Sequence, residues 1–215
     1  MMLKIKNLVL IICSAILLTG CASSQMYAKD KKDGVYFTIP NGWKNISQVE
    51  LNKRESKSTT AGAADRLALV TWQEAYSLKG DAVAKDVFSL NSPKSPIVYV
   101  RVRDLSMDEI QSVSYNSLRN IIVPLTTWIQ KGNETNNFVL QNDQEMVQKV
   151  ARGVHTLYSF VGNDGIDQTI NQSAYFSNDH SKLYVLLVRA STKDYMANEV
   201  VLNKIASSFT IRGGQ

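Results

Sequence analysis

The run Lys182-Leu183-Tyr184-Val185-Leu186-Leu187-Val188-Arg189-Ala190 decides what kind of fold this chain can adopt. In an extended strand successive side chains point to opposite faces, so Leu183, Val185 and Leu187 lie on one side and Tyr184, Leu186 and Val188 on the other. Both sides are apolar, and a strand of that kind belongs in a sheet that is covered on both faces. One cover is predicted just downstream, in a helix opening near Ser191 with Ala197, Val201, Leu202, Ile205 and Phe209 on its stripe. The other lies upstream. Ser106 with Glu109 three residues on is a capping box, and it opens a predicted helix carrying Ile110, Val113, Leu118, Ile121 and Ile122, which Pro124 ends.

Further strands are readable outward from this centre. In Ile97-Val98-Tyr99-Val100-Arg101-Val102-Arg103 the valines share one face and the arginines the other, a period of two. Strands are predicted at 34–39, 67–72, 145–151, 154–160 and 166–176, with turns at Pro40-Asn41-Gly42, Arg152-Gly153, Gly162-Asn163-Asp164-Gly165 and Asn178-Asp179. Residues 52–65 are charged and polar without period and are expected to form a mobile loop, as are residues 79–96 apart from one helical turn near 82–88. The expected fold class is α+β: an antiparallel β-sheet with helices on both faces, an α/β sandwich spanning residues 34–215 as one domain.

The opening Tyr36-Phe37-Thr38-Ile39-Pro40-Asn41-Gly42-Trp43 and the closing Ile205-Ala206-Ser207-Ser208-Phe209 resemble the first strand and last helix of the PsbP-like family. That family's sandwich is shared by photosystem-associated lumenal proteins and many bacterial lipoproteins. The resemblance implies a fold and little about activity, because the fold hosts binding and assembly proteins without a common site. Metal ligands known in some members have no counterparts here, so none is carried over.

The first twenty residues are of another kind. Lys4 and Lys6 precede an apolar run from Leu8 to Leu18 free of charge and proline, the plan of an export signal. Eleven helical residues rise about 16 Å, too short for a hydrocarbon core of about 30 Å. The run leads into Leu18-Thr19-Gly20-Cys21, which resembles the lipobox of bacterial lipoprotein precursors. The resemblance implies that Leu18, Thr19 and Gly20 are read by the lipoprotein signal peptidase and that Cys21 carries diacylglycerol. Residues 1–20 are then the signal peptide and 21–33, small and polar with Lys29, Lys31 and Lys32, a flexible tether. Cys13 leaves with the signal, so the mature domain is expected to hold no thiol.

This address limits the partners. Two or three acyl chains hold a protein to a bilayer lastingly, where one gives marginal binding. The expected location is extracytoplasmic: the periplasmic face of the outer membrane in a cell with two membranes, the outer face of the cell membrane in a cell with one. Removing residues 1–20 takes away Lys4 and Lys6 and lowers the formal charge from +5 to +3. That mild excess, without an arginine-rich helix, points away from nucleic acid and toward an envelope protein or anionic envelope polymer.

The remaining chemistry is sparse. His155 falls in a predicted strand and His180 in a turn, neither with the neighbouring ligands a metal would need, and no Gly-x-Ser-x-Gly elbow occurs. Asp164 and Asp167 lack the twelve-residue calcium pattern. Trp72, Trp128 and Tyr175 are candidates for core packing or for lining a ligand cleft of unknown place. No cofactor, metal or catalytic set is expected. The sequence therefore predicts a membrane-anchored binding or scaffolding module of the envelope, with two alternatives: a hydrolase using His155 with a nearby carboxylate, and a structural subunit of an envelope complex.

Overall fold

The computed structural model describes residues 25–132 and 137–213. The export signal, Leu18, Thr19, Gly20 and Cys21 lie outside the described residues.

Ten strands alternate with eight helices among the described residues. They run in the order β1 (Gln25–Asp30), β2 (Val35–Pro40), β3 (Lys44–Ile46), α1 (Gln48–Glu55), α2 (Ala63–Ala68), β4 (Val70–Ser77), α3 (Ala84–Val87) and β5 (Ile97–Asp104). Next come α4 (Met107–Ser112), α5 (Tyr115–Arg119), α6 (Leu125–Lys131), β6 (Val139–Val147), β7 (Ala151–Val161), β8 (Asp167–Ser177), β9 (Lys182–Ser191), α7 (Thr192–Ala197), α8 (Glu199–Ser207) and β10 (Thr210–Ile211). Seven strands form one antiparallel sheet in the order β3-β4-β5-β9-β8-β7-β6, and β1, β2 and β10 form a small second one.

Strand β9, apolar on both sides, sits where both faces need cover, between β5 and β8. On the first face, Val98, Val100, Val102, Leu186 and Val188 pack against Leu202 and Ile205 of α8 and against Phe37 and Ile39 of the small sheet. On the second face, Ile97, Tyr99, Val185 and Leu187 pack against Leu51 of α1, Leu118 of α5 and Leu125 of α6. The expected class, an antiparallel sheet with helices on both sides, is the one observed.

Several local expectations are corrected. Residues 25–30 of the expected tether form β1, paired with β2 from Gln25↔Pro40 to Asp30↔Val35. The polar face of β1 hid it, because only Ala28 is buried and the strand is held by backbone pairing with β2. The tether's last residue, Asp33, is buried, accepts from the Thr71 hydroxyl at 2.6 Å and pairs with Lys182 at 3.1 Å. The expected loop at 52–65 holds the end of α1 and the start of α2. Ser47 and Glu50 cap α1 reciprocally, and a helix that buries only Leu51 shows no apolar stripe to read.

The expected helix from Ser106 begins as read, with Glu109 returning to the Ser106 amide at 2.9 Å. It breaks at Val113, which is extended, and Pro124 caps the start of α6 instead of ending anything, since proline is tolerated where no intrahelical N–H is needed. The closing helix likewise breaks at Asn198. The turn expected at Arg152-Gly153 lies a few residues earlier, and both residues belong to β7. Gly153 is there because a Cβ would stand 2.0 Å from the Ala174 carbonyl and 2.7 Å from the Tyr175 ring. The second strand of the expected set starts at Val70, after α2.

Candidate ligand-binding site

Antiparallel register sorts the polar residues of the large sheet by face, because residues directly opposite one another project to the same side. His155, Ser173, Leu186 and Val100 form one row, and Asn171 stands beside Leu157 in the next row of that first face. Tyr158, Ile170, Arg189 and Ile97 form a row on the second face, and Val154, Ala174, Val185, Arg101 and Gln73 another.

On the first face His155 is held by amides. Asn142 Nδ2 donates to Nδ1 at 3.0 Å, which leaves the proton on Nε2, and Nε2–H donates to Asn171 Oδ1 at 2.8 Å. The chain continues: Asn171 Nδ2 donates to the Tyr195 hydroxyl at 3.0 Å, which donates to Asn203 Oδ1 at 2.7 Å. A cleft of about 440 Å³ opens beside it, walled by His155, Ser173, Tyr175, Asn203 and Phe209. A hydrolase built on His155 needs a carboxylate on one ring nitrogen and a nucleophile on the other. Both nitrogens are occupied by asparagine, so this arrangement does not form the expected base.

On the second face a cleft of about 490 Å³ lies between the sheet and the helical cover. Its apolar walls come from Phe88 and Leu90 after α3, Ile121 and Ile122 after α5, and Leu183 and Leu187 of β9. Four arginines, Arg66, Arg101, Arg103 and Arg189, line it against a single carboxylate, Glu55. Glu55 takes Arg101 Nη1 at 2.8 Å, and Tyr99, 6% exposed, donates its hydroxyl to Gln73 at 2.6 Å beneath the pair. Arg103 binds Glu109 with both terminal nitrogens, at 2.6 and 2.8 Å.

Arg189 stands apart. It is 4% exposed, its two terminal nitrogens donate to the backbone carbonyls of Ser89 and Asn91, and no carboxylate of the described residues pairs with it. Burial pushes this guanidinium down to about 10, which leaves it charged at neutral pH. Nε of Arg189 and Nε of Arg101 are buried with no hydrogen-bond partner among the described residues.

The other sequence candidates fall elsewhere. His180 is in a turn as expected, at φ 59°, with its ring edge-on to Phe176 at 4.7 Å beside a separate cavity with Tyr115 and Arg152. Asp164 closes the β7–β8 turn, accepting from the Ile166 amide at 3.2 Å and reaching the Ser92 amide at 2.8 Å, while Asp167 is exposed at the start of β8. Among the described residues no group of three or more His, Cys, Asp and Glu is placed to hold a metal ion. The three aromatics do not converge: Trp72 packs on Phe37 in the first-face core, Trp128 on Phe138 and Phe160 at the second face, and Tyr175 alone lines a cleft.

Sequence reasoning left the cleft's place unknown and passed over Arg189 and Asn171. A signal for Arg189 existed: a charge inside a strand predicted to be covered on both faces must be buried, and a buried charge calls for a partner. Among the described residues no helix is long and apolar enough to cross a membrane.

No protein-family model matches this chain, and no curated protein does. Among solved structures it is similar to the PsbP of the cyanobacterium Synechocystis sp. PCC 6803, with 15% identity over 91% of this chain and 99% of that one, at a TM-score of 0.48. It is also similar to LpqN, a protein involved in cell envelope biogenesis of Mycobacterium tuberculosis, with 12% identity over 87% and 90% and a TM-score of 0.45. The Saccharomyces cerevisiae Ran-binding protein Mog1p follows, with 10% identity over 87% and 95% and a TM-score of 0.43.

Proposed function

We propose that this chain is a non-catalytic binding module of a bacterial cell envelope, anchored by lipid at Cys21 outside the cytoplasm, and that it takes its ligand in the arginine-lined cleft of the second face. The observation that carries the reading is that cleft: about 490 Å³ of largely apolar space with buried guanidinium charge in its wall. Its size lies within the range of small-molecule sites, where a few polar groups orient a ligand against apolar walls. His155, in the first-face cleft, has both ring nitrogens engaged by asparagine amides.

The anchor reading rests on the lysines, the apolar run and the Leu18-Thr19-Gly20-Cys21 motif. With β1 starting at Gln25, four residues beyond Cys21, the link to the lipid reaches about 14 Å at full extension. The domain would ride on the membrane surface and not at the end of a long tether. Near Gln25 a groove exposes Val200 and Val201, apolar side chains suited to that closeness.

Metabolic labelling with a palmitate analogue tests the anchor. Wild-type protein is expected to incorporate the label and to lose residues 1–20, and Cys21→Ala to remain an unlabelled precursor. Label in the mutant, or an unmodified Cys21 in the native protein, would reject the assignment.

A further inference from the structure

We propose that the second-face cleft binds an anionic amphiphile: a carboxylate or phosphate monoester head at the Arg66 and Arg101 end, with its apolar chain laid along Ile121, Ile122, Leu183 and Leu187. The inference rests on the cleft being the ligand site and adds the chemistry of what fills it.

Charge is the first argument. An arginine is charged at any physiological pH, and a buried ion without a counter-ion is unfavourable by several kcal/mol. Arg189 lacks a direct counter-ion among the described residues: its hydrogen-bond partners are neutral carbonyls, and Asp86 and Asp164 act on it only through space. Its terminal nitrogens are engaged, so it contributes field to the cleft and not a free fork. Arg101 is only partly compensated: Glu55 takes Nη1, and Nε is buried with nothing to donate to. Arg66 is exposed at the cleft and forms no ion pair among the described residues. A neutral ligand would leave this excess as it is and a cationic one would worsen it, whereas an anion supplies the missing acceptor.

Shape is the second argument. A bare anion would be served by a shallow polar cup, but most of this wall is aliphatic and aromatic, with Phe88, Leu90, Ile121 and Leu187 among its residues. Apolar wall beside uncompensated positive charge matches a ligand with an apolar body and one anionic end.

The test uses the intact protein in neutral phosphatidylcholine vesicles. Water-soluble octyl compounds differing only in the head are titrated, and the rise in unfolding temperature is converted to affinity. Octanoate and octyl phosphate are expected to bind about tenfold more tightly than octyl glucoside, as a charge-assisted hydrogen bond should provide. Octyltrimethylammonium is expected to bind more weakly still, and inorganic phosphate alone at least about tenfold more weakly than octyl phosphate, since it buries no chain. Arg101→Gln should remove the preference for the anionic head. Because that change also leaves Glu55 unpaired, Arg66→Gln, at an exposed position, is measured beside it and should reduce the preference several-fold without loss of folding. Ile122→Trp, which fills the cleft, should abolish binding.

If the neutral head binds as well as the anionic ones, the proposed chemistry is wrong while the cleft stands as a ligand site. If no octyl compound of any head shifts the unfolding temperature, the cleft reading itself falls. If inorganic phosphate matches octyl phosphate, or binding survives in Ile122→Trp, the amphiphile proposal is overturned.

Discussion

On the first face of the large sheet, Asn142, His155, Asn171, Tyr195 and Asn203 hand hydrogen bonds from one to the next, and no side-chain atom of the five is buried without a partner. On the second face Arg101, Thr156, Tyr158, Gln168, Gln172 and Arg189 each bury an atom with no partner among the described residues. Strands β7 and β8 supply members of both sets, His155 and Asn171 to the first and Thr156, Tyr158, Gln168 and Gln172 to the second, so within these two strands propensity does not explain the difference. A satisfied polar chain adds rigidity and specifies packing, whereas of the six unsatisfied groups Arg101 and Arg189 line the cleft, where a ligand can offset their cost to the fold. The first face therefore reads as structure and the second as a site.

Core truncation gives the largest test of this contrast. Leu186 on the first face and Leu187 on the second are neighbours in β9 and both buried. Leu186→Ala is expected to cost about 4 kcal/mol and Leu187→Ala about 2, because the penalty grows with the cavity created and Leu187 already borders open space. Denaturant unfolding of the two variants checks this, and equal costs would mean that the two faces are packed alike.

Removing a polar group should have opposite signs on the two faces. Asn171→Ala strips the acceptor from His155 Nε2–H and the donor to Tyr195, and is expected to cost about 2 kcal/mol. Tyr158→Phe deletes a hydroxyl that is fully buried and unpartnered, and is expected to stabilise the protein by about 1 kcal/mol. Thermal unfolding of both is the measurement. A loss in Tyr158→Phe comparable to that in Asn171→Ala would erase the distinction.

The smallest expected effect is a change in acid sensitivity. The Arg103 guanidinium, with the Ser106 amide, holds the Glu109 carboxyl down from 4.5 to about 2. A carboxylate lowered in the folded state contributes stability that is present above pH 4.5 and is lost as pH falls toward 2. Glu109 is partly exposed, so solvent moderates the contribution. Glu109→Gln should leave a shallower fall in the denaturation midpoint across that window, and an unchanged slope would show that the Arg103 pair adds nothing.

Much of the fold was legible in the sequence. The two-faced apolar strand β9, the alternating β5 and the Ser106 box point directly to a sheet covered on both sides. Three missed elements share one cause: β1, α1 and α2 are short, with almost no buried apolar side chains, and are stabilised by backbone pairing and capping that no periodicity records. The candidate site was less legible, with Cys21 named, the cleft left without a place and Arg189 passed over.

What the sequence determined by itself is the covalent and compositional layer: the lysine-flanked apolar run, the Leu18-Thr19-Gly20-Cys21 motif and the periodicity that demands a buried sheet. Local chemistry suffices for these, because each is read from neighbouring residues or a fixed period. Only the tertiary structure decided that Arg101 and Arg189 meet Glu55 and Arg66 around one cleft, and that asparagines, not carboxylates, flank His155. Those residues are tens of positions apart, and strand register and helix docking set both their distances and their burial. A buried charge takes its meaning from which groups lie within hydrogen-bond reach, and that is a property of three-dimensional packing.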